Sequence, residues 1–101
     1  MSSSNSPQKQ AVLEFLLTLP RNKVTTYKAL ATRFNTHPRA IATYMRTNQE
    51  YNTYPCYKVV AADGWLSGYI LWVPEKITRL TKDGIHISQE KVIDTDILHT
   101  L

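Results

Sequence analysis

Apolar residues recur at Ala11, Val12, Phe15, Leu16 and Leu19, spaced i, i+1, i+4, i+5 and i+8. That spacing lines one face of a helix over residues 8–19, and Pro20 stops it. After the polar Arg21-Asn22-Lys23, Thr25 or Thr26 is placed to cap a second helix that runs to about Phe34. Asn35-Thr36-His37-Pro38 reads as a turn, with Pro38 suited to the first position of a third helix through about Asn48. Two short helices joined by about four polar residues form a helix-turn-helix pattern. The third helix divides by spacing: Ile41, Met45 and Asn48 share the face expected towards the core, and Arg39, Thr43 and Arg46 the opposite one.

The second half is shorter in its rhythm. Residues 49–54 are polar and aromatic loop, 57–61 an apolar extended run, and Asp63-Gly64 a turn signal. A helix begins at Pro74, with Ile77 and Leu80 packing inwards, and Gly84 ends it. Ile85-His86-Ile87 alternates as a strand and pairs with Lys91-Val92-Ile93 across Ser88-Gln89-Glu90. The expected fold is mostly α with a small β element, a winged-helix-like helix-turn-helix domain. Residues 1–7 read as a disordered tail and 8–101 as one domain.

Composition adds charge to this outline. The chain has 101 residues, 43% hydrophobic and 20% charged, enough for one small core. Lys and Arg total 12 against 8 Asp and Glu. Between Pro20 and Asn48 stand Arg21, Lys23, Lys28, Arg33, Arg39 and Arg46, and no acid. A basic segment around a helix-turn-helix is an electrostatic footprint for nucleic acid, although a solvated surface accounts for composition alone equally well. No apolar run reaches the roughly 20 residues of a membrane span, and the first six residues lack the basic and apolar regions of a signal peptide. An intracellular site, cytoplasmic or at the nucleoid or nucleus, and a monomer without membrane contact are the expectation.

The chemistry centres on Cys56, the sole cysteine. It can form no internal disulfide, and it is either a small buried hydrophobe or a reactive thiol. His37, His86 and His99 are scattered without ligand spacing and are expected to be solvated or in turns. No cofactor and no metal are expected. Trp65 and Trp72 are read as core or lid packing.

Four separated motifs give these residues a context. They are Val24-Thr25-Thr26-Tyr27-Lys28-Ala29-Leu30-Ala31, Pro38-Arg39-Ala40-Ile41 with Met45-Arg46-Thr47-Asn48, Pro55-Cys56-Tyr57-Lys58-Val59-Val60, and Asp63-Gly64 with Leu66-Ser67-Gly68-Tyr69. In this order and spacing they resemble the DNA-binding, active-site domain of the O6-alkylguanine-DNA alkyltransferases, a family with related alkyltransferase-like proteins. The family's frequent N-terminal domain is not expected in this chain. The resemblance implies a protein that binds duplex DNA from the minor groove, flips out an O6-alkylated guanine and transfers the alkyl group irreversibly to Cys56. Flipping costs a few kcal/mol. By resemblance Arg39 fills the vacated stack, Tyr27 pushes on the adjacent phosphate and contacts the flipped base, and Asn48 hydrogen-bonds the active-site loop. Thr26, Tyr27, Arg39, Thr43, Arg46 and Lys58 are the implied DNA contacts. Tyr27, Pro55, Val59, Ser67, Gly68 and Tyr69 line the implied pocket, and Cys56, Tyr57 and Asn48 are the implied catalytic group.

The chain also departs from the family. Tyr57 stands where a histidine activates the cysteine through a water, and Ile77 is aligned with the glutamate that backs it. Ile70-Leu71-Trp72 replaces a small, glycine-rich stretch, and Thr43-Tyr44 replaces small residues on the recognition helix. Tyrosine, with a free pKa near 10, is a poor base at neutral pH, so transfer is expected to be slow unless Lys58 or a helix N-terminus favours the thiolate. The alternative is a non-enzymatic module that binds alkylated DNA without transfer. A helix-turn-helix domain indifferent to the lesion, with Cys56 as inert packing, is the third reading.

Overall fold

The computed structural model describes residues 7–50, 53–66 and 73–101. Four α-helices and five short strands follow in the order α1 (Pro7–Leu16), β1 (Val24–Thr26), α2 (Tyr27–Arg33), α3 (Pro38–Arg46), β2 (Val59–Val60), α4 (Val73–Lys82), β3 (Ile87–Ser88), β4 (Lys91–Val92) and β5 (Ile97–Leu98). Single 3₁₀ turns at Cys56–Lys58 and Asp94–Asp96 precede β2 and β5. The fold is mostly helical with a small β element, as a winged helix-turn-helix domain requires.

The helix boundaries follow from local chemistry. Thr26 is the N-cap of α2, its side-chain oxygen accepting from the Ala29 N–H at 2.9 Å. Asn35 ends α2 with φ 53°, while Thr36 N–H reaches back to the Ala31 carbonyl and Asn35 N–H to that of Thr32. Gly84, at φ 86°, ends α4 in the same way through Ile85 to Leu80 and Gly84 to Thr81. Both are left-handed caps that satisfy carbonyls the helix leaves open. Pro38 occupies the first turn of α3, where a missing N–H costs nothing.

Helix α1 buries a face shifted from the expected one. Lys9, Val12, Leu13 and Leu16 point inwards, whereas Ala11 and Leu17 are exposed. The Lys9 ammonium is carried inside because it donates to the Thr47 carbonyl just past α3, at 3.3 Å. The helix ends at Leu16, short of Leu19, with Leu17 and Thr18 N–H groups closing tight turns onto Glu14 and Phe15.

Two core clusters result. The first joins Val12, Leu13, Leu16, Leu30, Ala31, Ile41, Met45 and Val59, with Tyr27, Tyr54 and Cys56 packed against it. The second joins Val24, Val60, Leu66, Leu80, Ile85, Val92 and Ile97. Adjacent residues Val59 and Val60 enter different clusters, as alternating strand side chains must. Each fully buried aliphatic side chain contributes about 1.5–3 kcal/mol.

Strand β1 runs parallel to both neighbours in the order β2-β1-β5, with Thr25 opposite Val59 and Val24 opposite Ile97. This sheet is what fixes the cysteine turn, since β2 follows it directly. The β3–β4 hairpin pairs Ile87 with Val92 and Ser88 with Lys91, across Gln89 and Glu90 at φ 53° and 62°. Positive φ at both positions is the two-residue turn whose twist suits a hairpin. Trp65 does not pack in the core. It is 40% exposed, under the Lys91 ammonium at 5.7 Å. Trp72 lies outside the described residues. His86 and His99 stay exposed and pair with Asp96 and Asp94 at 3.0 and 2.8 Å.

Candidate active site and nucleic-acid interface

Cys56 opens the 3₁₀ turn between the loop after α3 and β2, and is partly buried. Its N–H donates to the Tyr54 carbonyl at 2.7 Å, and its carbonyl accepts from the Val59 N–H. Asn48 braces the approach. Its amide nitrogen donates to the same Tyr54 carbonyl at 3.2 Å, while its oxygen accepts from the Glu50 N–H at 2.9 Å. A buried amide so satisfied fixes the chain two residues before the thiol. Gln10 of α1 donates to the Tyr54 hydroxyl at 2.9 Å and steadies the loop from its other side.

Tyr57 turns away to α4. Its hydroxyl donates to Asp83 Oδ2 at 2.8 Å, and Arg79 lies over its ring at 5.7 Å. Asp83 also accepts from Arg21 Nε at 3.3 Å. Burial first, then the hydrogen bond to Asp83, push the Tyr57 phenol up to about 12, so it stays protonated at neutral pH. A carboxylate therefore does stand behind the residue that follows the cysteine, but Asp83 supplies it. Ile77, aligned with that position in the sequence, packs against the second core cluster.

Lys58, expected at the DNA surface, is buried, and its ammonium donates to the Pro20 and Arg21 carbonyls. Burial lowers its pKa, with Asp83 opposing. Thr26, also expected there, is buried as the α2 cap. Val59 is wholly enclosed in the first cluster, and Pro55 is partly buried beside the cysteine. Ser67, Gly68 and Tyr69 lie outside the described residues, as do Ile70 and Leu71.

The outward residues of α3 stand as the spacing expects. Arg39 and Arg46 are exposed, and Ile41 and Met45 are buried beneath them. Thr43 is half-buried, its hydroxyl donating to the Arg39 carbonyl at 3.1 Å. Tyr44 takes the side of α3 that faces α1, its hydroxyl donating to Gln8 Oε1 at 2.7 Å. Its bulk is thus absorbed between helices. Tyr27, half-buried at the start of α2, borders the same cluster as Cys56.

Lys76 was not singled out by its place in the sequence. It projects from α4, is only 4% exposed, and donates from Nζ to the Val59 carbonyl at 2.7 Å. Burial lowers its pKa from 10.5 to about 8, and the charge of Cys56 acts against that fall. A lysine at i, i+1 with Ile77 and i, i+4 with Leu80 was the available signal, because it belongs to the inward face of α4.

Residues 7–85 match the family model for the 6-O-methylguanine DNA methyltransferase, DNA binding domain. The chain belongs to that family. It is 40% identical over 76 residues to a bifunctional methyltransferase/endonuclease of Picrophilus torridus, covering 73% of this chain and 26% of that protein. Among solved structures, the O6-methylguanine-DNA methyltransferase of Pyrococcus kodakaraensis is 36% identical with a TM-score of 0.68, covering 80% of this chain and 48% of that one. S. pombe Atl1, solved with damaged DNA containing O6-carboxymethylguanine, shares the fold at a TM-score of 0.74 and 21% identity, covering 81% and 80%. The chain thus spans about a quarter and about half the length of the first two.

Proposed function

We propose that this protein is a DNA repair alkyl acceptor. It binds duplex DNA through α3, flips an O6-alkylated guanine from the stack, and takes the alkyl group on Cys56 once and irreversibly. The observation that carries the reading is the placement of Cys56. A lone thiol, held by Asn48 through the Tyr54 carbonyl, borders the same core as the inner face of a helix whose outer face carries Arg39 and Arg46. An inert packing cysteine requires neither the Asn48 brace nor the basic face above it.

In this reading Arg39 fills the space left by the flipped base, and its planar charge suits stacking and hydrogen bonding there. Arg46 and Thr43 follow the DNA backbone. Tyr27 and Pro55 border the base, with Ser67, Gly68 and Tyr69 closing the pocket. Thr26, Lys58 and Val59 are supports, since each is spent on capping, carbonyl contacts or core. Asn48 positions Cys56. The 36% identical Pyrococcus protein, a methyltransferase by name, supports the assignment.

The second reading, recognition of alkylated DNA without transfer, is favoured by Tyr57. Its hydroxyl is committed to Asp83 and protonated, so the usual activating group is not available. One experiment separates the two. The protein is incubated at stoichiometric ratio with a duplex bearing O6-methylguanine and its intact mass is followed. A gain of one methyl group, lost in Cys56→Ala, is expected. Lesion-selective binding with no mass gain after long incubation would establish the second reading.

A further inference from the structure

With the Tyr57 hydroxyl committed to Asp83, the proton of Cys56 goes to solvent or to another side chain. Lys76 is buried beside the cysteine turn and tied to it. Its Nζ donates to the Val59 carbonyl, and the Val59 N–H in turn donates to the Cys56 carbonyl. The ammonium therefore rests on the residue that closes the turn carrying the thiol.

We propose that Lys76 accepts the proton of Cys56 and remains beside it as the counter-ion of the thiolate. The proposal rests on the reading of Cys56 as a nucleophile. Two properties support it. First, burial brings the amine down to about 8, so amine and ammonium are both populated near neutral pH, the condition for moving a proton both ways. Second, the charge of Cys56 is what opposes that fall, so the two groups stand within electrostatic reach of each other.

Among the described residues, several charged groups near the turn have partners of their own. Tyr57 is bonded to Asp83, Arg21 to Asp83, and Lys58 to the Pro20 and Arg21 carbonyls. Arg79 lies over the Tyr57 ring. On α1, Lys9 reaches the Thr47 carbonyl and Glu14 accepts from Gln10.

The step balances. The Cys56 proton passes to neutral Lys76, giving a thiolate and an ammonium. The sulfur attacks the alkyl carbon, the S–C bond forms and the C–O6 bond breaks. The electron pair stays on the guanine, which takes up one proton as Lys76 gives one back. The net change moves one hydrogen from the thiol to the base and one alkyl group from the base to the thiol.

Iodoacetamide tests this without DNA, because the chain has a single cysteine and each alkylation adds one defined mass. Rates are measured from pH 5 to 10 on the full chain. Lys76→Met is expected to slow alkylation about tenfold at pH 7 and to move the rise of the pH profile upwards. Lys76→Arg keeps the counter-ion but cannot take up the proton, so it is expected to restore most of the iodoacetamide rate at neutral pH and not the methyl transfer from O6-methylguanine. A Lys76→Met profile that superimposes on the parent overturns the proposal. Should Lys76→Met fail to fold, the conservative Cys56→Ser is compared with the parent by NMR of ¹³C-labelled lysine. Lys76 is expected to titrate at lower pH once the sulfur charge is gone, and an unchanged titration overturns the proposal. A shifted iodoacetamide profile with no methyl transfer from DNA would refute the repair reading and leave Lys76 in its role. Methyl transfer with an unshifted profile would do the reverse.

Discussion

The Tyr57 hydroxyl donates to Asp83 Oδ2 at 2.8 Å, and this bond ties the cysteine turn to the C-terminal end of α4. Arg21 joins the same carboxylate from the loop after α1, so three segments meet at one acid. With its hydroxyl bonded to Asp83, Tyr57 is expected to hold position rather than carry protons. Tyr57→Phe is expected to cost about 1 kcal/mol of stability, the net worth of a half-buried hydrogen bond. It should change alkyl transfer less than about threefold. Urea unfolding and the intact-mass assay give the two numbers, and a tenfold loss of transfer would return a chemical role to the hydroxyl.

The same bond has a pH signature. The phenol is raised to about 12 in the folded chain, by burial and then by Asp83, against about 10 unfolded. Between those values the unfolded chain has released a proton that the folded chain keeps. Stability therefore falls with pH across that window, while the contribution is fully present below pH 10. Tyr57→Phe should flatten this part of the stability profile.

Asn48→Ala is expected to affect both folding and transfer. The amide satisfies the Tyr54 carbonyl and the Glu50 N–H, and alanine leaves both to find other partners. The cost should be about 1–3 kcal/mol. Transfer should slow by at least about tenfold even where the protein is fully folded, because the loop before Cys56 loses its brace. Asn48→Asp, which keeps an acceptor for Glu50 but no donor for Tyr54, separates the two bonds.

The residues show which parts of this were legible in the sequence. Helix α3 was, because Pro38 starts it and Ile41, Met45, Arg39 and Arg46 sort onto opposite faces by spacing alone. The cap at Thr26 and the stop at Gly84 were legible because each residue type has a specific backbone use. The parallel sheet was not. Strands of two or three residues such as Val24–Thr26 and Val59–Val60 carry no alternation, and pairing over 34 positions leaves no local mark. The site was half legible. Cys56 and Asn48 stand out by motif, whereas Asp83 and Lys76 reach the cysteine turn only through the docking of α4.

Lys76 gives stability an opposite dependence on pH. Its folded pKa is near 8 and its unfolded value 10.5, with burial as the main cause. Between these values the unfolded chain holds a proton that the folded one has lost, so this group adds stability as pH rises from 8 to 10.5. Below pH 8 the buried ammonium is a cost. Lys76→Met should be at least as stable as the parent at pH 7, and the parent should gain on it by pH 9.5. Urea midpoints at the two pH values check this, and a parent that loses ground instead would contradict the burial of a charged amine.

Under the proposed function, Arg39 is the residue that separates lesion reading by α3 from plain DNA binding. It is exposed at the N-terminal end of the helix, where its side chain is not needed by the core. If it fills the space left by a flipped base, its loss removes an interaction that exists only after flipping. Undamaged duplex, which resists flipping by a few kcal/mol, gains little from it. Arg39→Ala is therefore expected to weaken binding to an O6-methylguanine duplex about tenfold, and to undamaged duplex less than about twofold. Arg46→Ala, following the backbone, should weaken both by the same factor and reduce the salt dependence of both. Fluorescence anisotropy on the two duplexes, with Cys56→Ser to prevent transfer, measures all four values. Equal losses for Arg39→Ala on both duplexes would make Arg39 a phosphate contact and move the recognition of the lesion away from α3.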